Sequence, residues 1–597
     1  MPVWAGPVVT APPAGQAAPQ PQLEIVPPPV PAPPAIQAAN TDLSAMLVNR
    51  TLARLGLELE LEPEGKTIEK IWVDPYNVFL ADEKLASWAN AAHFHTKERT
   101  VHEELLFLVG EPWREKIGLE TGRNLRKNLP ITVAQVVTCK GTQPGTIQVV
   151  VVTRDIWSLR ASYDLQLTDG RLEYFFIGLF EYNWLGHAET ISPFYFEMNQ
   201  ATMMFAQRYV NPRVAWSRIA LREDAGVIYN YKTGSFEGGI ATLKLFHPLY
   251  SLSEKWGWEM NFDIQSRIQR TFSQGQVARV AIAETGESLP LQYSSAFLKL
   301  SLAGTRSIGY EFKNNFSLGW RLNAPIFKFE PLAGESYLAE SVYGFNRANL
   351  PLQDRHGALF AQHNFFEARF GQMTNFNTMG LIEDIQLGPQ VVSEVAVAPP
   401  AFSMDATFVQ PGITLRWNEM WGKDDLSTVE FSTSLRYQLS PSFEGFSAWV
   451  NRLHGFLIRQ ASPIFFNFAR ILVGARMNLR VEDLSRTVTT VGGNNFLRGF
   501  PSGAYQGAST WGTNVEIRSR PWRLTPYLLI GGATFFDMGD AFNGAEELLF
   551  RKVHKAAGLG IRVLLPQISA LTARFDVAFP IDEIYGPSTT FQFQQAF

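Results

Sequence analysis

The chain has 597 residues and a net charge of −4, with no block of basic residues, which argues against nucleic acid as a partner. A single cysteine, Cys139, excludes an intramolecular disulfide framework and a cysteine-based zinc site. The sequence is rich in Phe, Tyr and Trp but has no run of about 18 uncharged apolar residues, so it predicts no transmembrane helix and fits a membrane β-barrel and a large soluble all-β protein equally well.

Residues 1–40 carry twelve prolines and many alanines, which predicts a disordered, partly polyproline linker. No Lys or Arg precedes Arg50, so the sequence lacks the basic region of a secretory signal. Residues 41–64 are a short connecting segment, in which Leu43 to Leu55 predict a helix. The alternating stretch Leu57-Glu58-Leu59-Glu60-Leu61-Glu62 follows and fits no predicted element.

Residues 65–155 predict a small β-α-α-β-β domain. A helix capped by Thr96 or Thr100 is expected to end at Gly110 and Pro112. The other predicted elements are an extended region at Lys66 to Val73 and Asn77 to Leu80, a helix from Arg114 to Lys127, and strands from Ile131 to Cys139 and Ile147 to Thr153. This order, with the local sequences EELL, GEPW and RNLR, resembles a POTRA domain; the alternative is an unrelated small α+β domain.

From residue 156 to 597 apolar and polar residues alternate with a period of two. Leu571, Phe575 and Phe579 share one face of a predicted strand, whereas Arg574 and Asp576 share the other. Charges inside apolar strands require a wet face, which the core of a β-sandwich does not provide and a water-filled lumen does. We therefore expect an all-β transmembrane barrel of antiparallel strands, since only a closed sheet leaves no unpaired backbone edge in lipid.

The most informative stretch is Val491 to Phe500, VGGNNFLRGF, followed by Phe536-Asp537-Met538-Gly539 and an aromatic last residue, Phe597. Together and in this order they resemble the signatures of the Omp85 superfamily, the D15-type surface-antigen barrels of bacterial outer membranes. The first resembles that family's sixth extracellular loop, and the second resembles its F-D-x-G strand. The resemblance implies about 16 strands preceded by a POTRA-like domain.

The resemblance also implies the roles of individual residues. The loop residues are Gly492, Gly493, Leu497, Arg498, Gly499 and Phe500. The loop folds back into the lumen, where Arg498 contacts Asp537 of the F-D-x-G strand, which also includes Gly539. Asn514 and Glu516 match the family's N-x-E strand, and Glu516 is a second candidate neighbour of Arg498. The alternative is an exposed arginine in a glycine-rich loop.

The last strand carries Phe591, Phe593 and Phe597, which resemble the C-terminal signal that an assembly machine reads. We expect deletion of Phe597, or its replacement by Asp, to lower the amount inserted in the outer membrane.

The sequence predicts neither a cofactor nor a metal site. His93 and His95 lie near His102 and Glu103, but no fourth ligand is evident, so we interpret them as surface histidines. A nucleophile elbow, a P-loop and a dinucleotide fingerprint are all absent from the sequence, so an enzyme is not expected.

The resemblance implies a bacterial outer-membrane protein with its N-terminal domain in the periplasm, which inserts or translocates proteins. Its implied partners are outer-membrane lipid, client proteins that bind by strand addition, and periplasmic or lipoprotein subunits at the POTRA-like domain. Related assembly proteins carry two to five POTRA domains, so a single one suggests a specialised member. The alternatives are a passive channel or structural barrel of an envelope complex and, less favoured, a barrel-borne lipid hydrolase.

Overall fold

The computed structural model describes residues 40–80, 90–91, 93–168, 171–273, 276–377, 382–422, 424–439, 443, 445–493, 496–501, 504–525, 528–544, 553–565, 572–581 and 585–593. They form a small N-terminal α+β domain followed by a closed antiparallel barrel. Within these residues, no helix is long and apolar enough to cross a membrane.

The N-terminal domain is a three-stranded sheet with helices on both faces. Its elements are α1 (Asn40–Leu55), β1 (Thr67–Tyr76), α2 (Glu98–His102), α3 (Glu115–Asn128), β2 (Ile131–Lys140) and β3 (Thr146–Asp155). The strand order is β1-β3-β2, in which β3 is parallel to β1 and antiparallel to β2.

The central strand explains why helices cover both faces of this sheet. Val149 and Val151 pack towards Leu125 of α3, whereas Val150 and Val152 pack towards Leu47 of α1. A continuous apolar run is typical of a strand that is buried on both faces.

The predicted β-α-α-β-β order is present, but its first helix is shorter than expected. Helix α2 ends at His102, and residues 103–113 form turns that lead to α3. Neither Thr96 nor Thr100 caps the helix, because its N-cap residue is Lys97; the Thr100 hydroxyl lies within the helix and donates a hydrogen bond to the carbonyl of Gly186 in the barrel. The expected capping therefore gives way to a contact between the two parts of the molecule.

The barrel and its connections supply the remaining helix and strands. In chain order they are β4 (Leu159–Thr168), β5 (Arg171–Trp184), β6 (Glu189–Asn199), β7 (Thr202–Asn211), β8 (Ala220–Asn230), β9 (Ser235–His247), β10 (Trp256–Arg270), β11 (Phe272–Ser273), β12 (Gln276–Val277), β13 (Arg279–Ala281), β14 (Ser288–Pro290), β15 (Gln292–Ile308), β16 (Phe312–Phe329), α4 (Ala339–Asn349), β17 (His356–Glu367), β18 (Arg369–Thr374), β19 (Ile382–Ala398), β20 (Phe408–Glu419), β21 (Leu426–Gln438), β22 (Trp449–Ala461), β23 (Ala469–Val481), β24 (Thr489–Val491), β25 (Tyr505–Gly507), β26 (Ser509–Ser519), β27 (Trp522–Thr525), β28 (Leu528–Phe542), β29 (His554–Leu564), β30 (Ala573–Ile581) and β31 (Ser588–Phe593).

The predicted fold class is confirmed, but the expected number of strands is too low. In the described residues 22 strands close the barrel rather than about 16. Strands β17 and β18 both pair with β19, and β26 and β27 both pair with β28, so each of these two pairs is one interrupted strand of the wall. Short connections explain the difference, because each strand with its connection uses only about 22 residues.

The barrel begins and ends at neighbouring strands. β31 lies beside β4, and in the described residues their register is given by one pair, Phe591 and Leu165. On its other side, β31 pairs with β30 through six consecutive residue pairs. Strand β31 therefore closes the barrel between β30 on one side and β4 on the other.

The N-terminal domain lies at one end of the barrel. Glu104 binds Arg213 between β7 and β8, and Glu120 accepts a hydrogen bond from the Leu252 amide between β9 and β10. Strands alternate in direction, so the connection at residues 482–508, between β23 and β26, belongs to the opposite end.

Side chains of the wall alternate between the outside and the lumen. Leu559 and Ile561 are 62% and 55% exposed on the outer surface, whereas Arg562 between β28 and β30 is 2% exposed. The same alternation places Phe575 outside and Asp576 inside on β30. An apolar exterior of this extent is unfavourable in water, and lipid is the environment that suits it.

Candidate functional site in the barrel lumen

The loop between β23 and β26 folds into the barrel, and its glycines permit this path. Gly492 and Gly499 have φ angles of 131° and 100°, which side chains of L-residues rarely adopt. A Cβ atom on Gly492 would lie 2.2 Å from the carbonyl oxygen of Pro501, and one on Gly499 would lie 3.0 Å from the Cβ of Ala556 on the wall. The loop therefore turns sharply and lies directly against the strands. Gly493 closes the turn by donating its amide to the Phe500 carbonyl at 2.9 Å.

Apolar residues on either side of Arg498 anchor the loop. Leu497 and Phe500 are completely or almost completely buried and pack with Val491 and Ala556. The Phe500 ring meets the ring of Tyr585 edge-on at 5.7 Å. Burial of two large apolar side chains stabilises the inserted loop by a few kcal/mol, on the order of 1.5–3 kcal/mol each.

Arg498 lies between these anchors and binds Asp537 on β28 with two parallel hydrogen bonds. The Arg498 Nε and Nη2 atoms donate to Oδ2 and Oδ1 of Asp537 at 2.7 and 2.9 Å. The backbone amide of Arg498 adds a third bond to Oδ2 at 3.2 Å. Paired donors that meet both carboxylate oxygens fix the orientation of the guanidinium as well as its position.

Two further carboxylates and an aromatic ring complete the surroundings of Arg498. Its Nη1 atom donates to Glu516 on β26 at 2.8 Å and to Asp576 on β30 at 3.2 Å. Its guanidinium carbon lies 3.4 Å from the centre of the Phe535 ring, a distance suited to a cation–π interaction. One loop residue thus ties three strands of the same wall together.

Three arginines of the wall form an outer layer around these carboxylates. Arg518 donates to Glu516 and Arg562 donates to Asp576, both at 2.5 Å, and Arg574 reaches Asp576 at 3.2 Å. With Arg498, the cluster contains four arginines and three carboxylates, Glu516, Asp537 and Asp576, and every one of these side chains is at most 6% exposed. Four positive charges thus surround three negative ones, and all seven side chains face one another rather than water. The water-filled lumen expected from sequence is wrong for this part of the wall.

The two other residues of the predicted site support the same geometry. The Asn514 side chain donates to the Asp537 carboxylate and to the Phe496 carbonyl, both at 2.8 Å. Gly539 pairs with Gly512 across β26 and β28, and a Cβ atom on it would lie 2.7 Å from the Trp511 carbonyl oxygen. Asn514 therefore binds both the Asp537 carboxylate and the loop, and the lack of a side chain at Gly539 lets β26 and β28 lie close together.

Sequence reasoning brought together Arg498, Asp537 and Glu516 but did not connect the site with Asp576 and the three wall arginines. From sequence, Arg574 and Asp576 are assigned only to the inner face of their strand. Their position in the same cluster depends on the register between β28, β29 and β30, in which Arg562 pairs with Arg574 and Gly531. The only sequence signal for these residues is that charged side chains occupy the inner face of otherwise apolar strands.

The C-terminal residues of the predicted site lie at the end of the barrel wall. Phe591 is half-buried and lies on β31 opposite Leu165 of the first strand. Phe593 is the last residue of β31 and pairs with Ala573. Phe597 lies outside the described residues.

The interpretation of both histidines as surface residues is wrong for His93. Its side chain is fully buried, with Nδ1 3.0 Å from the Ser158 hydroxyl and Nε2 3.0 Å from Oδ2 of Asp155. His95 and the amide of Thr96 bind the same carboxylate oxygen at 2.9 Å. A serine, a histidine and an aspartate are thus connected, but they are sealed from any substrate, so the geometry favours a structural joint between the domain and the barrel.

No group of residues able to hold a metal ion occurs in the described part of the chain. No family model matches the chain, and no curated protein matches it in sequence.

Among solved structures, the chain is similar to CdiB from Acinetobacter baumannii, with a TM-score of 0.42 and 10% identity over 99% of this chain and 90% of that one. BamA from Haemophilus ducreyi lacking POTRA domains 1–3 gives 0.34 and 11% over 95% and 94%. The ferric-catecholate import receptor Fiu from E. coli K12 gives 0.32 and 10% over 77% and 85%. These likenesses span barrels of different kinds and do not distinguish among functions.

Proposed function

We propose that this chain is an outer-membrane protein of the Omp85 superfamily that inserts or translocates polypeptides at the junction of β4 and β31. The observation that carries the proposal is the burial of Arg498 among Asp537, Glu516 and Asp576 inside the barrel. A loop arginine of an R-G-F motif, bound to the aspartate of an F-D-x-G strand, is the arrangement that the sequence resemblance implies.

The position of the loop along the barrel supports the proposal independently of the motif. Five positions of the described wall follow it, formed by β26 with β27, then β28, β29, β30 and β31. In a barrel of roughly 16 strands whose first strand begins at the periplasmic end, the sixth extracellular loop joins the eleventh and twelfth strands. Five strands therefore also follow that loop. The additional strands of this chain therefore lie before the loop, and the part that contains the motif keeps its spacing to the last strand.

The surface of the barrel supports a location in the membrane. The outer face carries apolar side chains, as at Leu559 and Phe579, and lumen charges pair with one another. We place the N-terminal domain in the periplasm, since it lies at the end opposite the inserted loop. Its proposed partners there are client polypeptides and periplasmic or lipoprotein subunits.

The cluster suggests how opening is confined to one place. Arg498, Glu516, Asp537 and Asp576 brace the wall from β26 to β30. The next strand, β31, closes the barrel against β4 and has no residue in this cluster. Because the cluster braces the wall only as far as β30, the wall separates most readily at β31. A client strand would then add its backbone hydrogen bonds to the exposed edge.

A disulfide across this junction tests the proposal. Leu165→Cys with Phe591→Cys joins the registered partners, and Leu559→Cys with Val577→Cys is a matched control that joins β29 to β30. Both pairs are placed in a Cys139→Ala background so that only the introduced thiols react.

Oxidation of the junction pair should abolish insertion of a radiolabelled eight-stranded barrel into proteoliposomes, and reduction should restore it. The control pair should insert normally in both states. Equal insertion by the oxidised junction pair would refute an opening between β4 and β31.

A passive channel is the main alternative. The sealed cluster disfavours a wide pore, and a steady conductance of the purified protein in planar bilayers, unaffected by the junction disulfide, would favour it. Hydrolysis of lipid by purified protein, abolished by Ser158→Ala, would favour a hydrolase.

A further inference from the structure

The alternating stretch that fits no predicted element lies on the edge of the N-terminal sheet. Residues 57–61, here called the edge segment, run antiparallel to β2. The Glu60 amide donates to the Thr138 carbonyl, and the Lys140 amide donates to the Glu58 carbonyl, both at 2.9 Å. Leu59 and Cys139 are direct partners between these two bonds. The edge segment is therefore a short fourth strand beside β2.

The side chains of the edge segment follow the period of a strand. Leu57 packs against the cluster beneath α1, and Leu59 lies on the same parity beside Cys139. The glutamates of the segment form ion pairs with lysines: Glu58 with Lys140 and Glu60 with Lys66, both at 2.7 Å. An apolar residue at every second position is also the pattern of a membrane β-strand before it folds.

The edge segment is held weakly compared with the strands of the sheet. Leu59 and Leu61 are 46% and 87% exposed. The ion pair of Glu58 and Lys140 is largely in solvent, where such pairs add little. The segment covers only the C-terminal part of β2, and further along the strand the Ala134 carbonyl accepts a hydrogen bond from Arg126 at 3.4 Å.

We propose that the edge segment is an internal substitute for an extended client strand and that it regulates access to the β2 edge. A client segment with apolar residues at alternate positions would bind antiparallel to β2 and displace residues 57–61. The nature of the occupant rests on the proposed function, whereas the displaceable segment does not. An exposed edge invites strand addition, and a competing segment of the same chain limits that addition to strands that pair better.

Because Cys139 is the only native cysteine, one substitution is enough to fix the edge segment to β2 by a disulfide. Leu59→Cys places a second thiol directly opposite Cys139, at a position between the two ladder hydrogen bonds where partner side chains are closest. Under oxidation, full-length protein in detergent should lose both free thiols. Leu61→Cys, whose position is exposed, should keep its thiol reactive as the control. Failure of the Leu59→Cys disulfide to form would refute the pairing.

Binding of a fluorescent peptide with the sequence of residues 588–597, which alternates aromatic and polar residues, then tests the function of the segment. Oxidised Leu59→Cys should bind no peptide, and reduction should restore binding. Glu60→Pro removes the amide that donates to Thr138 and should strengthen binding about tenfold, since the fraction of open edge rises. Glu62→Pro is the control, since it removes the amide that donates to the Glu60 side chain but leaves both backbone hydrogen bonds to β2 in place.

Lys140→Glu provides a second way to loosen the segment, by repulsion from Glu58, in case Glu60→Pro folds poorly. It should strengthen peptide binding and expose the Cys139 thiol, which is buried and whose pKa burial raises to about 11, to maleimide. Equal peptide binding by the locked, native and loosened proteins would overturn the proposal. Because peptide binding is measured without insertion, this result is independent of the test at the β4–β31 junction.

Discussion

The barrel binds a segment of its own chain in two regions, and the two differ in how far their charges are exposed. In the lumen, Arg498 is 4% exposed and Asp537 is fully buried. At the domain end, Arg126 of α3 and Asp384 of β19 are 24% and 20% exposed. Lys116 and Glu311, which lie further out at the same end, are 51% and 64% exposed. Each pair joins a basic and an acidic side chain, but the exposure of these side chains to solvent differs.

This difference implies that the loop is fixed, whereas the α3 side of the domain is more easily loosened than the buried contacts of Glu104 and Asp155. A buried charge that loses its partner is costly, whereas a charge in solvent is rehydrated. The lumen cluster therefore holds the inserted loop in a single position. The partly exposed contacts of α3 suit a part of the domain that can move relative to the barrel.

The largest effect is expected for Arg498→Ala. Removing it leaves Asp537 without its paired donors, and loss of one partner of a buried pair costs about 3–5 kcal/mol. Unfolding of the purified protein in detergent should shift accordingly, whereas the exposed-pair control Arg416→Ala, opposite Glu430, should cost no more than about 1 kcal/mol.

A double-mutant cycle sharpens this prediction. Asp537→Asn should produce a similar loss, and the double substitution should be less than additive because both changes remove the same contact. Additive losses would mean that Arg498 and Asp537 act independently, and the comparison between lumen and domain end would fail.

An intermediate effect is expected for Arg126→Ala. Its Nε and Nη2 atoms donate to the Asp384 carboxylate at 3.0 and 3.2 Å, a paired geometry in partial contact with solvent. A loss of about 1–2 kcal/mol lies between the values for exposed and buried pairs. Amide exchange should increase in α3 and at residues 248–255 but not in residues 496–501. Faster exchange in the lumen loop as well would show that the two regions are coupled.

The sequence predicted the lumen site better than the domain end for a physical reason. Arg498 and Asp537 stand in local motifs whose residue types report their role. The contacts of Arg126 with Asp384 and of Arg213 with Glu104 join residues distant in sequence, and the barrel partners Asp384 and Arg213 lie in no recognised motif. The number of strands was missed because alternation reports the face of a residue and not where each strand ends.

A smaller effect, dependent on pH, is expected at the joint of His93, His95 and Asp155. The hydrogen bond to Asp155 raises the pKa of His95 above its ordinary value of 6.5. Burial alone raises the pKa of Asp155, but bonds from His93, His95 and the Thr96 amide outweigh it and leave that pKa below 3.8.

The two shifts define the pH range in which the joint is stable. The contribution of His95 is complete below pH 6.5 and is lost as the pH rises through its raised pKa. The contribution of Asp155 is complete above pH 3.8 and is lost as the pH falls through its lowered pKa. Proteolysis between the domain and the barrel should therefore be slowest between these values. His95→Gln should remove the increase on the alkaline side, and an unchanged profile would contradict the assignment.

The smallest effect is expected for Lys116→Ala. Lys116 binds Glu311 at 2.8 Å, but both side chains are mostly in water, where ordering two long side chains offsets the attraction. Neither the unfolding transition nor amide exchange in α3 should change beyond measurement error, and added salt should leave the substituted and native proteins equally stable. If Lys116→Ala instead loosened the domain as much as Arg126→Ala, exposure would not be what separates the two regions. The domain would then be held by its charge pattern as a whole, and high salt should release it from the native barrel while leaving the buried Arg498 cluster intact.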